Sequence, residues 1–365
     1  MQNSQLSIPE DNSAHAPALF DRPALDGTDT TEPDTAVAAL LTQTNAARSG
    51  LLTHLRACDY RFITPTPATH QRYLANRGKE PATSMRDMFG WNLPFAGTIL
   101  PPALHATLHG AGLLVASGNL FHSTVRVASL DDLLLLHSAY PTTQEDAVFF
   151  GPDTYRFARF IGTALARPSQ QNQPTGALRI LDVGCGSGAG GLFAARALGK
   201  HQPDALPSEV VMNDINPQAL RFTAINAAFA GIDVTLAQGD SLAATQGQFD
   251  LIISNPPYMQ DAEKRAYRDG GEGLGRALSV RIAEQALQRL APGGRLLLYT
   301  GVAMTDAHDP LLTTMQPLLE ASGCAWSYEE IDPDVFGEEL ERPDYVQVER
   351  IAAVGLIATR SPASC

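Results

Sequence analysis

The rhythm of apolar and polar positions changes twice along this chain. In residues 1–45 hydrophobes are sparse among Asp, Thr, Ser, Pro and Ala, which predicts a flexible segment. Near Thr35 the residues Val37, Leu40 and Leu41 share one face, enough for a short helix. Residues 46–148 mix helical and strand periods. Leu51, Leu52 and Leu55 mark one helix. Residues 101–109 mark another, opened by proline and closed by Gly110 and Gly112. Residues 113–116 read as a strand, Ser117-Gly118-Asn119 as a turn, Val125 and Val127 as alternating strand positions, and residues 133–136 as a third strand. Helices followed by a short hairpin predict a small α+β domain, winged-helix-like in outline, that recognises the substrate.

From about residue 149 the pattern becomes a regular alternation. Helix is expected at 154–166 with Asp153 as its cap, then strand 178–183, helix 189–198 and strand 209–213. Helix 217–229, strand 234–237, strand 249–254 and helix 278–290 follow. Pro292-Gly293-Gly294 turns into strand 295–300, and residues 346–358 can form the last strand, interrupted by Gly355. Such alternation predicts an α/β domain over 149–365, a doubly wound, Rossmann-like sheet with helices on both faces.

Composition narrows the function. The formal net charge of −13 gives no bulk attraction to nucleic acid or anionic lipid. It is unevenly spread: residues 1–45 carry seven acids and one base, whereas residues 46–150 carry eight bases and seven acids. The four cysteines, Cys58, Cys185, Cys324 and Cys365, are widely spaced, which argues against a disulfide framework or a zinc site and for a cytoplasmic protein. No run of about 18 apolar residues is present, so no membrane span is expected.

Two stretches carry chemistry. The first is the strand and turn Ile180-Leu181-Asp182-Val183-Gly184-Cys185-Gly186-Ser187-Gly188. In a doubly wound sheet, ligands sit beyond the carboxyl ends of the strands. Glycines let the backbone turn sharply there and approach a ligand closely, and the next helix points its N-terminus at the site, favouring an anionic group. The dinucleotide fingerprint overlaps this run, with Ala189 where Gly or Ala is allowed. The second stretch decides between them. Asn255-Pro256-Pro257-Tyr258 follows the apolar strand 249–254, and Asn255 comes 73 residues after Asp182.

Together, in this order, the two motifs resemble the class I S-adenosylmethionine (SAM) methyltransferases, in the branch that methylates planar nitrogens. The likeness covers roughly residues 151–300. It is similar to the HemK-like protein-glutamine methyltransferases and to the related methyltransferase small domain enzymes that act on RNA. Asp269-Gly270-Gly271-Glu272-Gly273-Leu274 resembles the glycine-rich segment that follows the motif in HemK-like enzymes. The resemblance implies a seven-stranded sheet with a reversed last strand and SAM as cofactor. It implies SAM binding at Asp182, Gly184, Gly186, Gly188, Asp214 and Asn255. Residues 1–150 depart from the helical N-terminal domain of the release-factor enzymes.

The motif has a physical rationale. An amide or aromatic amino nitrogen is a poor nucleophile because its lone pair is delocalised. Two acceptors aimed at its hydrogens favour the lone-pair-bearing form, and the Asn255 side-chain oxygen with the Pro256 carbonyl can supply them. Pro256 and Pro257 stiffen the loop and leave no N–H to compete. Tyr258 can stack on a flat acceptor. Asp214, after the second strand, can accept from ribose hydroxyls or cap the helix at Pro217, a role open to Asn216 too. Asp240 can accept from the adenine amino group or hold a turn. Tyr155 can line the cofactor mouth or pack in the core.

The expected function is N-methyl transfer from SAM to a glutamine amide or a nucleobase amino group, on a protein or RNA partner. The competing readings are a small-molecule N-methyltransferase of specialised metabolism and a SAM-binding regulatory protein without turnover. Cys185 is expected to pack, not to act as a nucleophile. His105 and His109 have metal-ligand spacing but no evident third ligand. Glu329, Glu330, Glu338, Glu339 and Glu341 are expected to be solvated surface.

Overall fold

The helix expected near Thr35 starts at Pro33, in a first helical position, and is longer than the short helix its apolar face suggested. This helix, α1, runs Pro33–Ala57 in the computed structural model. It absorbs residues 33–45 of the segment expected to be flexible, together with Leu51, Leu52 and Leu55. The structure describes residues 33–166, 178–201, 207–261, 263, 265 and 267–362, so residues 1–32 of that segment lie outside the described residues. The chain divides into two units, Met1–Leu41 and Thr42–Cys365, and the second holds the remainder of α1 and every later element.

Helix α2 (Pro67–Arg77) is capped by the Thr66 hydroxyl, which accepts from the Thr69 N–H, and α3 (Met85–Phe89) by a Ser84–Asp87 capping box. After α4 (Pro102–Gly110) come two antiparallel hairpins instead of the expected hairpin and single strand. Strand β1 (Leu114–Ser117) pairs with β2 (Leu120–Ser123), and β3 (Val125–Leu130) pairs with β4 (Leu133–Ser138). Strand β2 shows no alternation of apolar and polar positions, so periodicity did not announce it.

The alternating part reads as expected through most of its length. Helix α5 (Pro152–Ala166) precedes β5 (Leu178–Val183), α6 (Ala189–His201), β6 (Pro207–Asp214), α7 (Pro217–Ala230), β7 (Thr235–Gln238) and β8 (Phe249–Ser254). Then come α8 (Ala277–Arg289), β9 (Leu290–Met304), α9 (Pro310–Ser322), β10 (Ala325–Asp332) and β11 (Arg350–Thr359). The sheet has seven strands in the order β10-β11-β9-β8-β5-β6-β7. Strand β11 runs antiparallel to both neighbours, and the pairs from β9 to β7 are parallel. This is a doubly wound sheet with its last strand reversed. Strand β10 was not foreseen. It is an edge strand whose side chains are mostly exposed, so it carries no apolar run.

Both faces of the sheet are buried, which is why its strands read as continuous apolar runs. Ile180, Leu251, Ile253, Leu297 and Tyr299 join α5, α6 and part of α7 in one core. Leu181, Ile252, Leu296 and Leu298 join α8 and α9 in another. A third core belongs to residues 47–148, and it takes in Ala219, Phe222 and Ile225 of α7. Helix α7 is therefore shared between the small N-terminal layer and the sheet.

Candidate active site

Three parallel strands end at the same level. Val183 on β5 is in register with Asn213 on β6 and with Ser254 on β8. The Ser254 hydroxyl donates to the Val183 carbonyl at 2.8 Å, tying the two motif-bearing ends together. Adjacent strands lie about 4.8 Å apart, so the tips at Gly184 and Asn255 are neighbours. Both line one cavity of about 390 Å³, with Asp182, Asp214, Asp240 and Tyr258. That volume suits a small organic ligand.

The glycine-rich turn is built for close approach. Gly184, Gly186 and Gly188 have φ of +71°, +56° and +79°, a region that side chains disfavour. A Cβ on Gly184 would meet nothing within 4 Å, so the missing side chain leaves the turn's backbone open. Partners fix the turn. The N–H groups of Gly184 and Cys185 donate to the Asn213 carbonyl at 2.9 Å, and Thr223 and Asn226 of α7 donate to the Gly186 and Ser187 carbonyls.

Asp214 accepts from the Gly186 N–H and the Asn216 N–H, both at 2.9 Å. Asn216, not Asp214, caps α7. Burial raises the Asp214 carboxyl above its ordinary range. Asp182 is 1% exposed and accepts from the Gly191 N–H at 2.7 Å. Desolvation, opposed by that hydrogen bond and reinforced by the charge of Asp214, pushes its pKa up to about 7. Asp240 accepts from the Ser241 hydroxyl and from Arg281, both at 2.9 Å. Cys185 is buried, and desolvation pushes its thiol well up, so it packs as an inert group.

At the facing tip, Asn255 is half-buried. Among the described residues neither its side chain nor the Pro256 carbonyl has a hydrogen-bond partner. Both acceptors are free to take N–H groups from a ligand. Tyr258 sits differently from the expectation that it stacks on an acceptor. It is 8% exposed, its ring lies against Gly301 and edge-on to Phe336, and its hydroxyl donates to Asp153. A Cβ on Gly301 would come 2.2 Å from the Tyr258 ring. Tyr258 is thus a strut under the loop.

A further expectation gives way here, and Tyr155 takes the packing role, one of the two left open for it. Asp153 is not a cap; it lies inside α5, buried, and accepts from Tyr258, Tyr299 and Arg156. Desolvation, opposed by Arg156 and Tyr299, pushes its pKa up to about 6. Tyr155 is not among the residues lining the cavity. Its hydroxyl accepts from the Thr64 N–H at 3.0 Å, which joins α5 to the N-terminal layer. Thr154, Phe149 and Phe157 line the cavity instead. None carries a polar motif signal. Glu339, expected at the surface, is 6% exposed and ion-paired with Arg268 and Arg342. Among the described residues no group of His, Cys, Asp or Glu is placed to hold a metal, and His105 and His109 pack edge-on to Phe121. No helix among them is long and apolar enough to cross a membrane.

The residues fit SAM on structural grounds: a glycine turn with an open backbone, a half-buried carboxylate at the end of β6, and one cavity shared with Asn255. Comparison with known proteins agrees. Residues 162–316 match the family model "Methyltransferase small domain". The chain is 34% identical over 173 residues to the release factor glutamine methyltransferase of Deinococcus radiodurans, covering 44% of this chain and 55% of that protein. It is 36% identical over 141 residues to that of Koribacter versatilis, covering 35% and 48%. A third such protein, from Bordetella pertussis, is 36% identical over 154 residues, covering 38% and 54%. The chain spans about half the length of the curated relatives it matches. Residues 162–316, the stretch similar to the methyltransferase small domain, carry both motif tips.

Proposed function

We propose that this protein is a cytoplasmic N-methyltransferase that moves a methyl group from SAM to a planar nitrogen. The acceptor is a protein glutamine amide, as the names of its relatives suggest; a nucleobase amino group is the second reading. The observation that carries this is the register of Val183 with Ser254. It sets the glycine turn and Asn255 side by side in one cavity.

SAM, when bound, supplies a methyl group on a sulfonium, so that the nitrogen–carbon bond forms as the sulfur–carbon bond breaks. The chain's own groups do the rest. The turn at Gly184–Gly188, with Asp182 and Asp214, forms the cofactor side, and Asp240 stands beyond it. The Asn255 side-chain oxygen and the Pro256 carbonyl accept the two N–H groups of the acceptor and orient its nitrogen. They stabilise the nitrogen as it becomes tetrahedral, and its surplus proton leaves to solvent. Pro257 stiffens the tip, and Tyr258 anchors it through Asp153.

The test is Asn255→Ala. Methyl transfer from labelled SAM should fall about 10²-fold, the usual loss when one preorganised hydrogen-bonding group is removed. SAM affinity, measured by calorimetry, should stay within about threefold, since the glycine turn and Asp214 are untouched. Transfer at the wild-type rate would remove Asn255 from the mechanism. SAM binding without turnover on any extract fraction would favour a regulatory protein.

A further inference from the structure

With Tyr258 committed to Asp153, another group must flank a flat acceptor. Two aromatic rings line the same cavity as Asn255: Phe149, just ahead of α5, and Tyr267, on the loop between β8 and α8. Their planes are nearly parallel, at 17°, and their centroids are 6.2 Å apart. Each ring is held from behind. Phe149 lies over Gly151, where a Cβ would come 2.5 Å from the ring. The Tyr267 hydroxyl donates to the Thr142 carbonyl at 2.6 Å. Two layers of carbon contact need about 7 Å. The rings must therefore part by at least about 1 Å to admit one planar group. A carboxamide or a base, flat on both faces, needs the least parting.

The cavity rim separates those two. Glu145, Asp146 and Glu338 are exposed and in no ion pair among the described residues. Glu338 lines the cavity, and Asp146 belongs to the loop between Thr142 and Phe149, fixed by a hydrogen bond from Asn216 to its carbonyl. The cavity's one arginine among the described residues, Arg268, is paired with Glu339 and Asp261. An unpaired carboxylate on the cavity wall, with two more on the neighbouring loop, repels a phosphodiester and attracts a cationic peptide.

We infer that Phe149 and Tyr267 form the acceptor slot, and that it takes a glutamine carboxamide on a peptide segment with basic residues beside it. The inference rests on the reading of the site as one for planar-nitrogen methylation. It adds the two residues that clamp the acceptor and the charge of the chain that presents it.

The test measures transfer from labelled SAM to a short peptide with one glutamine between lysines. Its comparisons are the same peptide with glutamates in place of the lysines and an RNA oligonucleotide. The lysine peptide should be the preferred acceptor, with a KM that rises with salt. Tyr267→Ala should raise that KM roughly two- to tenfold, the worth of one aromatic stacking contact, with SAM affinity unchanged. Tyr267→Phe keeps the ring and should stay within about twofold. An unchanged KM in both Tyr267→Ala and Phe149→Ala overturns the slot, and equal use of the two peptides overturns the basic segment; either leaves planar-nitrogen methylation standing. Label confined to RNA overturns the peptide class. No label in any acceptor overturns both.

Discussion

Asp153 is the residue whose part in the site was least visible beforehand. It sits in the first turn of α5, where an acid is expected to favour the helix dipole, yet it serves two tyrosines from other elements. Its pKa is pushed up to about 6, and that of Asp182 to about 7, in both cases chiefly by desolvation, against 3.8 for the free group. The folded state therefore binds more protons than the unfolded chain between about pH 4 and pH 6 to 7. The stability these carboxyls contribute is fully present below the unfolded value and lost as pH rises through the folded value. Asp153→Asn should flatten the decline in denaturation midpoint between about pH 4 and 6. A midpoint-versus-pH curve identical to wild type would show that Asp153 titrates normally. Asn255 and the three glycines were legible because their chemistry is local, whereas the tyrosine hydroxyls come from β9 and from the loop after β8.

Among the elements, α7 serves both the N-terminal layer and the sheet. Its Asn226 is fully buried. The amide accepts from the Leu136 N–H at 2.9 Å and donates to the Leu136 carbonyl at 3.0 Å and the Ser187 carbonyl at 2.9 Å. One side chain thus completes strand β4 and braces the glycine turn. Asn226→Ala should cost about 3 kcal/mol, because it strands buried backbone groups. It should also weaken SAM binding by loosening the turn. Urea denaturation and calorimetry check both, and a loss below about 1 kcal/mol would mean water replaces the amide readily. The helix itself was readable from Asn216-Pro217 at its start, since a cap and a following proline are local signals. Strands β2 and β10 were not, because one lacks alternation and the other lies at an edge.

For the whole molecule, the shared core matters most. Phe222 and Ile225 of α7 pack with Leu51, Leu55 and Val127 of the N-terminal layer. The boundary expected near residue 148 therefore cuts through a hydrophobic core, and removing residues 46–148 would bare one side of α7. The full chain should melt in a single calorimetric transition. Saturating SAM should raise it as one unit, by about 2.7 kcal/mol at a hundred times the dissociation constant. Two resolved transitions, with only one shifted by SAM, would count against that coupling. The net charge of −13 belongs to this scale as well, since it sets the sign of the long-range field that a partner meets.

The sequence alone determined the alternation of strand and helix, the glycine turn, the Asn-Pro-Pro-Tyr tip and the class of cofactor. All of these are written in residues near one another, through periodicity, backbone freedom and capping. Only the tertiary structure decided that Tyr258 is a strut, that Tyr155 faces the N-terminal layer, and that Phe149 meets Tyr267 across the cavity. Such pairings depend on which strands lie side by side and which faces are buried together. Sheet order and helix packing settle those over separations of a hundred residues or more, as between Tyr258 and Asp153, 105 positions apart. No local pattern encodes them.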